Sequence, residues 1–147
     1  MPSSIPNRGQ TEDSLSYLLA RASHAVVSEF HGEVKRAGMT LLEWRVLVSL
    51  TDGRPKSVGV LAELALAQQP TLTKLLDRLA DAGHIERQIG PSDRRRSLVS
   101  ITPTGKSRIA PLLTRSKVHE RRLLAALEAE EAGLLKGTLK KLIRHIP

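Results

Sequence analysis

From Leu15 onward the apolar residues recur mostly three or four positions apart: Leu15, Leu18, Leu19, Ala22, Val26, Phe30, Val34. That repeat predicts one long helix with a single apolar face. Gly38 stops it after about Ala37, because glycine accepts the left-handed conformation at a helix end. Thr40 and Glu43 form the pattern of a capping box, in which hydroxyl and carboxylate satisfy free backbone donors, so a second helix follows over Leu41 to about Leu50. The turn cluster Thr51-Asp52-Gly53-Arg54-Pro55 ends it. Ser57 then caps a short third helix carrying Val60, Leu61, Leu64 and Ala65.

Proline restricts the residue before it, so Gln69 reads as a boundary and Pro70 as the first position of a fourth helix, which Gly83 closes after Ala82. Beyond it, apolar residues alternate over Ile85 to Ile89 and Leu98 to Ile101, on either side of the polar stretch GPSDRRRS. This predicts an antiparallel hairpin with a long basic tip, closed by Thr104-Gly105. Two helices end the chain, one marked by Ile109, Leu112, Leu113, Ser116, Leu123, Leu124 and Leu127, the other by Leu134, Leu135, Leu139, Leu142, Ile143 and Ile146. Residues 1–11 show no periodicity and read as a mobile tail.

Composition narrows the class. Tyr17, Phe30 and Trp44 are the only aromatic residues, so aliphatic side chains must build the core of a mainly α fold. The absence of cysteine excludes disulfides, thiol catalysis and cysteine-held metals. With no secretion signal and no apolar run of membrane length, the chain is expected to stay in the cytoplasm. His24 and His31 share a helix but lack further ligands, and no nucleophile, phosphate-loop or metalloprotease motif occurs, so no cofactor and no enzymatic role are expected.

The charge is +8, from 23 Lys and Arg against 15 Asp and Glu. Between Arg54 and Arg108 ten basic residues face five acidic ones, which concentrates the excess in mid-chain and points to an anionic polymer as partner. Short helix, turn, second helix and basic hairpin is the order of a winged helix-turn-helix, whose second helix enters the major groove of duplex DNA. On that helix Leu72, Leu75, Leu76 and Leu79 share one arc, leaving Pro70, Thr73, Lys74, Asp77, Arg78 and Asp81 outward with Thr71 at the edge. Taken alone, such a face is also what any solvated amphipathic helix presents. Arg94, Arg95 and Arg96 at the hairpin tip tilt the reading to DNA, since their mutual repulsion gains nothing for folding.

The run QQPTLTKLLDRLADAGHIERQIGPSDRRRSLVSITPTG resembles the recognition helix and wing of MarR-family regulators, with the D-x-R of the wing at Asp93 to Arg95, and GMTLLEWRVLVSL is similar to that family's second helix. The resemblance implies a single domain over 12–147: a winged helix-turn-helix lobe at about 41–105, flanked by N- and C-terminal dimerisation helices at 12–37 and 106–147. It implies homodimers on pseudo-palindromic operators, usually repressing transcription and often released by a small aromatic or anionic effector. By position, Pro70, Thr71, Thr73, Lys74 and Arg78 would face DNA from the helix and Arg94 and Arg95 from the wing, with Ser57 bonding a phosphate. Asp77 would pair with Arg95 and, with Asp93, position the wing. Arg21, His24 and Arg45 lie where the family forms its ligand crevice, although helix-surface salt bridges account for them better. Leu66 and Gln68 depart from the Gly and Ser common in the turn. A nonspecific architectural DNA binder is the competing role, but Thr71, Thr73 and Lys74 suit base edges, which such a binder does not need.

Overall fold

The computed structural model describes residues 8–89 and 97–147. A single-turn helix α1 (Arg8–Glu12) occupies part of the stretch expected to be a tail. Short-range bonds account for it: the Asp13 amide donates to the Gly9 carbonyl at 3.2 Å, and the Ser14 hydroxyl to the Thr11 carbonyl at 3.0 Å. Ser14 then caps α2 (Leu15–Arg36). Gly38, at φ 74°, ends the helix where expected.

Thr40 caps α3 (Leu41–Ser49) with both bonds of the capping box, Thr40 N to Glu43 Oε2 at 2.9 Å and Glu43 N to Thr40 Oγ1 at 3.1 Å. Lys56 bonds the Asp52 carboxylate at 2.7 Å across the following loop. The chain then forms a strand that the sequence pattern did not predict, β1 (Lys56–Ser57). It is too short for any alternation to show. Ser57 also caps α4 (Val58–Ala65), accepting from the Val60 amide at 3.3 Å. Of the apolar residues expected on that helix, Leu61 and Ala65 are buried, whereas Val60 and Leu64 are 44% and 51% exposed.

Leu66 ends α4 in the left-handed region, φ 56° and ψ 46°, where an L-residue with a branched side chain costs about 1–2 kcal/mol. Helix α5 (Gln69–Asp81) starts one residue earlier than the proline suggested, with Gln68 extended at the cap and Pro70 second in the helix. The first turn tolerates proline there, since its missing N–H would have had no partner in the helix. Strands β2 (Ile85–Ile89) and β3 (Ser97–Ile101) pair antiparallel, and the sheet order β1-β3-β2 makes three strands of the expected two.

Thr104-Gly105 does not close the hairpin. Both lie in the first turn of α6 (Pro103–Leu124), capped by the buried Thr102, whose hydroxyl donates to the Gly83 carbonyl at 2.5 Å and accepts from the Gly105 amide at 3.0 Å. Gly105 is there because a Cβ would stand 2.2 Å from the His84 carbonyl oxygen. The backbones of α6 and of the turn after α5 thus touch directly.

Leu47, Leu50, Leu61, Leu72, Leu76, Val99, Ile109 and Leu112 are fully buried and join α3, α4, α5, the sheet and the start of α6 in one core. Each buries enough apolar surface to contribute about 1.5–3 kcal/mol. The terminal helices contrast with this. On α2 only Phe30 and Val34 are buried, and α7 (Ala129–His145) buries no residue. Among the described residues no helix is long and apolar enough to cross a membrane.

Candidate nucleic-acid interface

Helix α5 presents its two faces as the spacing requires. Leu72, Leu75, Leu76 and Leu79 are buried, while Pro70, Thr71, Thr73, Lys74, Asp77, Arg78 and Asp81 are exposed. Among the described residues Lys74 and Arg78 have no ion-pair partner, so their charge is available to an anion. The Thr73 hydroxyl donates to the Gln69 carbonyl at 2.9 Å, which spends its hydrogen inside the helix and leaves its lone pairs as acceptors. Thr40 and Leu42 at the start of α3 join Pro70, Thr71, Lys74, Leu75, Asp77 and Arg78 around an open depression. Hydroxyl, ammonium and guanidinium groups on one ridge can donate to phosphate oxygens and to guanine O6 and N7.

Asp77 is paired, and with a residue that the sequence pattern passed over. Arg87 on β2 places Nη1 2.9 Å from Asp77 Oδ1 and Nη2 3.4 Å from the Thr73 carbonyl. The signal was present in the alternation: Arg87 shares a strand face with Ile85 and stands opposite the buried Val99, so it points toward the helices. Asp93, Arg94 and Arg95 lie outside the described residues, and with them the expected Asp77–Arg95 pair. Ser57 is half-buried at the N-terminus of α4; its oxygen caps the helix and its hydrogen remains free to donate.

A second feature lies between α2, α3 and α6, a cavity of about 240 Å³ lined by Val26, Phe30, Trp44, Arg45, His119 and Glu120 among others. Of the three residues expected at a ligand crevice, Arg45 lines it. Arg21 and His24 stand exposed nearer the start of α2, His24 Nε2 lying 3.5 Å from the Ser28 hydroxyl, and they are not part of this lining.

His119 is the addition. Its ring stacks on Phe30 with centroids 5.6 Å apart, and Phe30 packs on Trp44 at 5.4 Å. His119 Nε2 lies 3.2 Å from the Val26 carbonyl, which can only accept, so that nitrogen carries the hydrogen. Nδ1 accepts from Arg122 at 3.4 Å, and Arg122 also binds Glu29. Spacing from Leu112 and Ser116 puts His119 on the apolar stripe of α6, which was the available clue.

The MarR family model matches residues 39–97. A curated relative, the homoprotocatechuate degradative operon repressor of Escherichia coli, is 29% identical over 131 residues, 89% of this chain and 88% of that protein. Among solved structures, a MarR family transcriptional regulator from Silicibacter pomeroyi DSS-3 is 31% identical with a TM-score of 0.81, covering 93% of this chain and 98% of the other. NadR in complex with 4-hydroxyphenylacetate is 25% identical at a TM-score of 0.81, with 97% of each chain covered. The transcriptional repressor CouR bound to a 23-mer DNA duplex is 26% identical at 0.75, covering 93% and 97%. Each match extends over nearly the whole chain, and the regulator and both repressors act in the regulation of transcription. The chain belongs to the MarR family of winged-helix, DNA-binding transcriptional regulators.

Proposed function

We propose that the chain is a homodimeric repressor that reads a pseudo-palindromic operator with α5 and leaves it when a small aromatic anion enters the cavity beside Arg45 and His119. The observation that carries the DNA reading is the ridge of Thr71, Lys74 and Arg78 held outward by a buried leucine stripe. The DNA-bound repressor among its relatives supports it. Homodimerisation is supported by unpartnered apolar surface: Leu15 and Leu18 on α2, Val118 on α6 and Leu134, Ile143 and Ile146 around α7 are 51–68% exposed. A second copy is the ordinary cover for such a surface. For the effector, aromatic walls with the Arg45 guanidinium suit a ring bearing an acid, the kind of molecule held by NadR, while the Glu120 carboxylate in the same lining is offset by Lys136 at 2.8 Å.

The test is selection of duplexes from a random pool by the purified protein. Half-sites about 10 base pairs apart, centre to centre, are expected for two dyad-related helices in successive major grooves. Lys74→Ala should cost about 1–3 kcal/mol on the selected site and flatten discrimination at one symmetric pair of positions, whereas Arg94→Ala should weaken all duplexes alike. Arg95→Ala should weaken binding and make it less salt-dependent. A protein that prefers its selected duplex over unrelated DNA by less than about 10³-fold at fixed salt would be the architectural binder instead. Truncation from Glu131 should yield a monomer, and 4-hydroxyphenylacetate should release the selected duplex from the intact protein but not from an Arg45→Ala variant.

A further inference from the structure

We propose that Arg87 sets the roll of α5 about its own axis, and so decides which side chains meet the bases, by holding Asp77 and the Thr73 carbonyl rather than by touching DNA. The inference rests on the operator-reading role proposed above for that helix. Thr73 and Asp77 are one turn apart on the exposed flank of α5, and the Arg87 guanidinium reaches both, at 3.4 Å and 2.9 Å. Strand β2 therefore grips the helix from outside while the leucine stripe grips it from inside. The close-packed leucines set the depth of α5 and its coarse orientation, and Arg87 adds a directional hold on the solvent flank that trims what packing leaves adjustable. The N-terminal end is held less directly, because Gln68 makes no side-chain bond to the free amides there. Thr71 and Lys74 stand at that end. With side-chain tips about 6 Å from the axis, a roll of only about 10° moves them by roughly 1 Å. That distance breaks a hydrogen bond to a base edge.

The pair also disposes of a charge. Asp77 is 60% exposed on a surface that must approach phosphates, and Arg87 compensates it without occupying the ridge of Lys74 and Arg78. A half-exposed pair adds little to folding stability, so variants at either residue should melt within a few degrees of the natural protein.

The test is binding to two duplexes of equal length, one selected by the protein from a random pool and one unrelated, each at two salt concentrations. Arg87→Ala and Asp77→Ala should each weaken the selected duplex about tenfold, leave the unrelated one within about twofold and leave the salt slope unchanged. Because the two residues act as one device, the double variant should be no worse than either single. Arg87→Lys, which can still pair with Asp77 but lacks the fork that also reaches the Thr73 carbonyl, should recover part of the loss. Equal weakening of both duplexes by Arg87→Ala with a shallower salt slope would make Arg87 a direct phosphate contact and overturn the proposal. Tighter binding by Asp77→Ala, or additive losses, would overturn it as well. If the natural protein itself does not discriminate between the duplexes, the operator-reading role fails first and this inference with it.

Discussion

Replacing Gly105 by alanine adds one methyl group where the backbone leaves no room. Its carbon would stand 2.2 Å from the His84 oxygen and 2.9 Å from Ile101 Cγ1. Neither neighbour is a flexible side-chain tip: the His84 carbonyl is held by the Thr102 amide at 3.1 Å, and Thr102 is tied to Gly83 and Gly105. Relief needs a shift of roughly 1 Å between the start of α6 and the turn after α5, which loosens buried hydrogen bonds and reopens packing between interlocked elements. Overpacking costs about 1–3 kcal/mol and weakened buried bonds a similar amount, while alanine returns about 1 kcal/mol of helix propensity. The net loss is about 2–4 kcal/mol, or roughly 5–15 °C in the melting midpoint of a domain of this size. Thermal and urea unfolding followed by circular dichroism at fixed protein concentration would measure it. Gly59→Ala is the control, since its nearest neighbour is the Gln69 side-chain nitrogen at 3.5 Å and the substitution should be neutral or stabilising by up to about 1 kcal/mol. A Gly105→Ala protein as stable as the natural one would refute the close-approach reading.

Leu66→Gly should raise the unfolding free energy by up to about 1 kcal/mol, since relief of the left-handed strain slightly exceeds the entropy that glycine adds to the unfolded chain; a lowered stability would show that Leu66 is held there by contacts it gains. Gln68→Ser should add about 0.5–1.5 kcal/mol by capping α5, measured in the same way. Burial first, and Arg108 second, push His84 below its ordinary 6.5, with Glu43 acting weakly in the opposite direction. The folded state therefore binds fewer protons there than the unfolded chain, and the stability involved is present above pH 6.5 and lost as pH falls through the folded value. His84→Gln should remove that component; an unchanged difference in stability between about pH 7.5 and pH 5.5 would contradict the assignment. Leu134→Glu with Ile143→Glu, at sites 61% and 68% exposed, should leave the helical content intact and yield a monomer by light scattering.

The helices from α2 onward, the caps at Thr40 and Ser57 and the two faces of α5 were legible because each depends on neighbours three or four residues away. The Thr40–Glu43 box, the Ser57 cap and the stop at Gly38 are of this kind. The apolar positions of the terminal helices were legible as well, and the structure leaves several of them bare, Leu15, Leu134 and Ile143 among them. What sequence alone left undecided involves residues brought together by packing. β1 is two residues that become a strand only because β3 lies alongside, Lys56 opposite Val99. Val60 and Leu64 belong to a helix of two turns, whose inward side is chosen by the elements that pack on it. Gly105 looks like a turn residue until the His84 carbonyl is set against it. Arg87 and Asp77 sit on different elements, as do His119 and Phe30, and no local spacing relates them. Local propensity and periodicity act along the chain and can be read there; which charge meets which, and which backbones touch, follows from how helices and strands close on a shared core.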